Sequence, residues 1–436
     1  MTQPKKTAFY DLHVKNGAKI VEFAGYLMPI QFKGIIEEHR RVRSSVGLFD
    51  ITHMGEFEVW GKDAEKFIQR MTTNDASAVL NEIDGVVESI RVRDRDTKIL
   101  VKGHSGELKE YLVPFWLSWD TTLDELFVYR KLGLKPGDLV KAGQSLWGPL
   151  NTYQVQYSCM CYDHGGIVDD LLVYRLPDHF LLVVNGACLD KDFKWLSDHL
   201  SGDVKLINKS DETALLALQG PKAEEVMRRL TDKNLSGIKY YWSAWGKVNG
   251  VELLFSRTGY TGEDGFEIYF SPAVAERMWN ALMDAGREFN IEPIGLGARD
   301  SLRLEMKYML YGNDIDQTTN PLEAGLGWIV KPDKGNFIGR EPILKLKEQG
   351  LKRKLVAFEL LDKAFPRQHY EIQKNGKKIG EVTSGTFSPS LDKGIGLGYV
   401  PIEHSEAGTE LDIMIRGKQN KAVVVKAPFY KQFTHK

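Results

Sequence analysis

Cysteine is scarce in this chain: Cys159, Cys161 and Cys188 are the only three among 436 residues. Three thiols cannot build a disulfide framework, and their scarcity points to a reducing, cytoplasmic compartment. Cys159 and Cys161 stand two apart, which puts them on one face of an extended strand. A metal site would need more ligands than the nearby His164, so they read as buried strand cysteines. An excess of one charge is missing too. Lys and Arg total 58 against 59 Asp and Glu, a formal net charge of -1, which argues against a general nucleic-acid or membrane-surface role. No run approaches the roughly 18 apolar residues that a spanning helix needs. Lys5 and Lys6 near the start are not followed by an apolar stretch of signal-peptide type. A βαβ rhythm is also lacking, which argues against a doubly wound parallel sheet.

What is present is an ordinary globular balance, 42% hydrophobic and 27% charged, on a length that implies roughly two to four domains. Ser271-Pro272 supplies an N-cap and an N1 proline ahead of the stripe Val274, Met278 and Leu282, and Gly220-Pro221 opens a second helix through Val226, Met227 and Leu230. Leu171 to Tyr174 and Phe180 to Val184 flank the turn Leu176-Pro177-Asp178-His179, predicting a hairpin. Val251 to Ser256 and Phe266 to Phe270 predict another around Gly259-Tyr260-Thr261-Gly262-Glu263-Asp264-Gly265. The last hundred or so residues carry short strands and turns, a C-terminal β domain entered through Lys331 to Glu341. The fold class is therefore α+β.

Two segments are anomalous enough to carry chemistry. In Gly165-Gly166-Ile167-Val168-Asp169-Asp170-Leu171-Leu172 two aspartates open an apolar strand, where a short carboxylate competes for backbone donors and packs poorly. Either they cap the glycine turn, or one is held at a cavity edge to bind a substrate amine or exchange a proton. Alternation allows only one of the pair into a given cavity. In Phe266-Glu267-Ile268-Tyr269-Phe270 the apolar residues share one face, and Glu267 and Tyr269 the other. Glu267 is either solvated or placed to accept two parallel N–H bonds from a flat heterocycle such as a pterin. Arg299 and Arg303 lie one helical turn apart and either pair with Asp300 and Glu305 on the surface or meet a carboxylate-bearing ligand.

Taken with Glu22-Phe23-Ala24-Gly25-Tyr26, Gly47-Leu48-Phe49-Asp50-Ile51-Thr52-His53-Met54-Gly55-Glu56, Gln219-Gly220-Pro221, Gly297-Ala298-Arg299-Asp300-Ser301-Leu302, Leu310-Tyr311-Gly312-Asn313 and Thr383-Ser384-Gly385-Thr386-Phe387-Ser388-Pro389, these segments make the chain resemble the T-protein (aminomethyltransferase) family of the glycine cleavage system. The resemblance implies a three-domain cloverleaf around a central folate cavity. It implies Asp170 as the catalytic aspartate, and Tyr157, Asn185, Tyr260, Glu267 and Arg299 as folate contacts. It further implies tetrahydrofolate as co-substrate, no metal, and a lipoylated carrier protein (the H-protein) as partner. The expected division is domain 1 at 1–54 plus 209–327, domain 2 at 55–80 plus 151–208, and a C-terminal β domain at 328–436.

Residues 81–150 depart from the family pattern. They hold their own strands, Gly85 to Val92, Thr97 to Lys102 and Tyr111 to Val113. The run Leu134 to Leu146 resembles the closing hairpin of barrel-sandwich folds, yet no turn of the kind that presents a modified lysine is found. A small structural or docking module is the expectation. Two other functions within the same superfamily compete. A folate-dependent demethylase is often fused to an oxidase, and no dinucleotide fingerprint occurs here. A non-catalytic iron–sulfur maintenance protein would carry a Lys-Gly-Cys-Tyr type motif and would lack the aspartate.

Overall fold

The structure, a computed structural model, describes residues 3–77, 79–80, 85–93, 96–114, 139–140, 145–147 and 150–435. A six-stranded sheet runs in the order Ser243–Val248, Val251–Ser256, Gly265–Phe270, Ala214–Gln219, Gly47–Asp50, Glu292–Ile294, with the last strand parallel to its neighbour. Its alternation decides what faces where. Phe266, Ile268 and Phe270 bury in one core against Met278 and Leu282 of the helix Ala275–Ala285, while Tyr269 joins a second core on the opposite face. That helix begins as its sequence predicts: Ser271 Oγ accepts from Ala273 N at 3.4 Å, and Pro272 opens a single 3-10 turn before it. The helix after Gly220-Pro221 is shorter than its stripe, spanning Ala223–Arg228.

A five-stranded antiparallel sheet follows the order Val155–Cys161, Ile167–Arg175, Phe180–Val184, Gly55–Trp60, Lys205–Asn208. The chain leaves the six-stranded sheet after Asp50, enters this one at Gly55, and crosses back between Asn208 and Ala214. We propose that these two crossings mark the borders of domains 1 and 2. The C-terminal strands Arg353–Leu360, Glu371–Lys374, Lys377–Ser388, Lys393–Pro401, Glu410–Ile415 and Lys418–Val425 close into a barrel. The helix Arg340–Gln349 leads into it.

Glu305, at the end of the helix Leu296–Glu305, ties these parts together. It accepts from Arg43 Nη2 at 2.9 Å, Ser388 Oγ at 2.5 Å and Ser390 Oγ at 2.9 Å. Arg43 lies on the helix Ile35–Ser44 and also reaches Glu263 at 2.8 Å. Of the surface pairing that was one alternative for Arg299 and Arg303, only the bond from Arg303 to Asp300 forms. Arg303 is buried and bonds Asp314 at 2.6 Å as well as Asp300 at 2.8 Å, and Glu305 belongs to Arg43.

Within 81–150, Gly85–Arg93, Asp96–Gly103 and Leu108–Pro114 form the expected strands, with Leu139–Val140 added at the edge. The described pieces of the run from Leu134 do not pair with each other. Leu139–Val140 pairs with Gly85 and Val86, and Ser145–Trp147 pairs with Val79–Leu80. Residues 134–138 and 141–144 of that expected hairpin lie outside the described residues. Leu150 is fully buried in the core of the five-stranded sheet, so the host resumes one residue earlier than expected. Its N–H donates to Ser77 O at 3.4 Å, which brings the two ends of the module together.

Candidate active site

Three adjacent strands build one corner of a central cavity. Asp170, on Ile167–Arg175, pairs in register with Cys159, and Leu172 pairs with Tyr157 on one side and Val183 on the other. Tyr157 and Asp170 therefore lie on neighbouring strands, and Tyr157 Oη donates to Asp170 Oδ2 at 2.8 Å. Asn185 follows the third strand, and its Nδ2 donates to Asp170 Oδ1 at 2.9 Å and to Asp169 Oδ1 at 2.9 Å. The aspartates do not cap the glycine turn. Backbone bonds between Tyr162 and both Gly165 and Gly166, each 2.8 Å, close that turn. Gly166 is required there by close approach, since a Cβ would lie 1.9 Å from Gln317 O. The aspartates sit inside the ladder instead, and Asp170 lines the cavity while Asp169 is fully buried behind it. Burial, and then the neighbouring Asp169 carboxylate, push the Asp170 carboxyl up to about 7, against the opposing effect of its bonds from Tyr157 and Asn185.

Another wall comes from the six-stranded sheet. Glu267 lies on Gly265–Phe270 and lines the cavity, and burial raises its pKa. Thr258 Oγ1 donates to Glu267 Oε2 at 2.5 Å. Behind it, hydroxyls follow in a chain: Thr258 to Ser256 at 2.6 Å, Ser256 to Tyr174 at 3.0 Å, Tyr174 to Tyr269 at 2.7 Å. Each hydroxyl has one hydrogen. With Thr258's committed to Glu267, the others point in turn from Tyr269 through Tyr174 and Ser256 to Thr258. Glu267 is thus the acceptor terminus of a buried chain, not a solvated surface group.

Tyr260 sits in the loop between these hairpin strands, stacks on Tyr308 and donates to Met309 O. The loop is held by Arg257, whose guanidinium makes two bonds to Asp264 at 2.7 and 2.6 Å. Arg299, on Leu296–Glu305, lies 4.9 Å above the Tyr260 ring. Among the described residues no carboxylate pairs with it, and burial lowers its pKa. All six residues expected at the site, Asp170, Tyr157, Asn185, Tyr260, Glu267 and Arg299, line this one cavity of about 460 Å³.

The sequence reading missed several walls. Tyr240, Tyr241 and Tyr308 add aromatic surface, and Trp328, 61% exposed, stacks on Tyr157 at 6.0 Å. Trp328 comes from the single 3-10 turn Gly327–Ile329, too short to show a periodicity, so no pattern announced it. Tyr240-Tyr241 was a visible pair of aromatics outside any strand. The lining is mostly apolar and aromatic, with an anionic acceptor, a cation and a carboxylate of raised pKa. That set suits a flat, polar-edged heterocycle with an anionic or carbonyl-bearing part.

The GCVT N-terminal domain family matches residues 9–82 and 144–334, and the glycine cleavage T-protein C-terminal barrel domain matches 353–431. The unmatched stretch, 83–143, is shorter at both ends than the module expected at 81–150. The chain is 43% identical over 434 residues to an aminomethyltransferase of Desulfitobacterium hafniense, covering 99% of this chain and 100% of that protein. It is 45% identical over 432 residues to one of Porphyromonas gingivalis, covering 98% and 100%. The crystal structure of the glycine cleavage system aminomethyltransferase T from Bartonella henselae superposes with a TM-score of 0.77 at 29% identity, covering 99% of each chain. The chain belongs to the glycine cleavage T-protein family, a family of aminomethyltransferases.

Proposed function

We propose that the cavity binds tetrahydrofolate and receives the aminomethyl-loaded lipoyl arm of a carrier protein, the H-protein of glycine cleavage. The observation that carries this reading is that Asp170 and Glu267 line one aromatic cavity together with Arg299, with which no carboxylate pairs among the described residues. Glu267 accepts N–H bonds from the pterin edge, and its charge strengthens them. The tyrosine rings cover the heterocycle, and Arg299 balances its carbonyl or carboxylate charge. Bound folate supplies the amine that takes up the methylene group, giving 5,10-methylenetetrahydrofolate, ammonia and dihydrolipoyl carrier.

Asp170 accepts a hydrogen bond from that amine and polarises it toward the incoming carbon. Its raised pKa fits it to hold a proton transiently near neutral pH. Asn185 and Tyr157 fix the carboxylate in one orientation, so no reorganisation is needed during transfer. The aromatic walls exclude water that would hydrolyse the one-carbon unit. The test is ammonia release from aminomethyl-loaded lipoyl carrier with and without tetrahydrofolate, using the full chain. Release that depends on folate is expected. No ammonia release from the loaded carrier, with one-carbon transfer to folate from a free N-methyl donor that leaves its demethylated amine, would overturn the reading in favour of a demethylase.

A further inference from the structure

Behind Asp170, on the face away from the cavity, lies a second carboxylate pair. Asp192, on the helix Leu189–Asp198, is fully buried, and neither of its carboxylate oxygens has a hydrogen-bond partner among the described residues. Its ligand atoms, those of Asp169 and Cys188 Sγ all lie within 4.8 Å of one another. Asp169 is occupied on both oxygens by Asn185, from Nδ2 at 2.9 Å and from the backbone N–H at 3.0 Å. The other groups facing the pair are Cys188, whose thiol burial keeps protonated, and Lys191. The Lys191 ammonium lies 3.4 Å from Asp192, donates to Val168 O and sits 4.0 Å from the centre of the Tyr311 ring.

Two buried carboxylates this close cannot both ionise with one lysine beside them, and a single proton between them removes the repulsion. The proton belongs on Asp192. Asp169 already accepts two N–H bonds that need its charge, whereas Asp192 accepts none. A metal is a poorer occupant. Asp169 has committed an acceptor position on each oxygen, and the Lys191 ammonium already supplies positive charge beside Asp192.

We propose that Asp192 is a positioning residue for the transfer reaction: a neutral acid whose O–H donates to Asp169, keeping Asp169 the ionised acceptor that clamps Asn185. Asn185 in turn commits its amide hydrogens to Asp169 and Asp170, which fixes its orientation and leaves its Oδ1 as the acceptor for a ligand. The order is Asp192, Asp169, Asn185, Asp170: a proton placed outside the cavity sets the geometry of the carboxylate inside it. This rests on Asp170 being the reacting carboxylate.

Asp192→Ala removes the donor, and Asp169 must then take a proton itself or repel Asp170. Turnover is expected to fall roughly tenfold at pH 7, with the acidic limb of kcat displaced and KM for the carrier little changed. Asp192→Asn keeps a neutral donor, so it is expected to restore turnover and the wild-type limb. An ionised Asp192 would give the opposite, because Asn would remove a negative charge near Asp170 and move that limb to lower pH. Difference infrared spectra of wild type against Asp192→Asn give a readout that needs no turnover. A protonated carboxyl C=O band lost in the variant is expected. A difference spectrum with no such lost band overturns the proposal whatever Asp170 does and even if the alanine variant does not fold. The band's presence alongside an inactive wild type would count against the Asp170 reading alone.

Discussion

Replacing Glu267 by Gln is the sharpest test of the folate-facing wall, because the structure dictates how the amide must sit. One oxygen of Glu267 takes the Thr258 hydroxyl at 2.5 Å, and that hydrogen is fixed by the chain from Tyr269 through Tyr174 and Ser256. The Gln oxygen must stay on Thr258, so its NH₂ replaces the oxygen that would meet the ligand's N–H edge. Turning the amide over would either leave the Thr258 hydrogen without its acceptor or require the hydroxyls behind it to reverse. The variant therefore loses one charge-assisted bond and sets donor against donor, a cost of about 2–3 kcal/mol. That corresponds to tetrahydrofolate binding weakened roughly 30- to 150-fold. The assay is calorimetric titration of the full chain, with thermal unfolding as the control for folding. Since Glu267 serves binding in ground and transition states alike, kcat at saturation should fall by less than about fivefold. A Kd within about threefold of wild type in a folded variant would refute the reasoning, placing the pterin edge elsewhere.

Two further outcomes follow from the packing. Glu305 holds a carboxyl lowered to about 2, chiefly by His39 and Arg43 working against the opposing effect of burial, so its stabilisation is complete above its ordinary pKa and is lost as pH falls toward 2. Glu305→Gln should cost about 3 kcal/mol at pH 7 by urea unfolding, and the difference from wild type should shrink as pH falls below about 4.5; an unchanged difference at low pH would contradict the assignment. Deleting residues 81–149 while keeping Leu150 should leave folding and folate binding intact, because only the short segment 78–80 must then span the Ser77–Leu150 hydrogen bond of 3.4 Å. Light scattering and titration check this, and aggregation would show the module to be integral.

Much of this site was legible because the family's motifs stand in order and because strand alternation is a strict rule. Asp169 and Asp170 had to face opposite sides of one strand, and the structure puts the first against Asp192 and the second in the cavity. Phe266 and Ile268 had to face away from Glu267 for the same reason. What stayed hidden depended on tertiary contact. Nothing near Glu305 in sequence reveals that Arg43 is its partner, since 262 residues separate them. Helical spacing suggested local pairs, but burial made the long-range bonds to Arg43 and the barrel serines the better solution. Trp328, from a single 3-10 turn, and Tyr240, Tyr241 and Tyr308, from loops, likewise have positions set by the elements around them. Asp192 lies on an amphipathic helix whose pattern would place any aspartate in solvent, and only the fold shows it buried.

The claim at the centre is that Asp170 drives transfer and that binding resides elsewhere in the cavity. Asp170→Asn keeps an acceptor for Asn185, and the Tyr157 hydroxyl can turn to accept from the new amide, so the variant should fold and bind tetrahydrofolate within about threefold of wild type. Ammonia release from aminomethyl-loaded carrier should fall by about 100- to 1,000-fold. The wild-type rate should rise as pH increases through about 7, where the Asp170 carboxyl ionises, and the variant should lose that limb. Near-normal release by a folded, folate-binding Asp170→Asn protein would contradict the account.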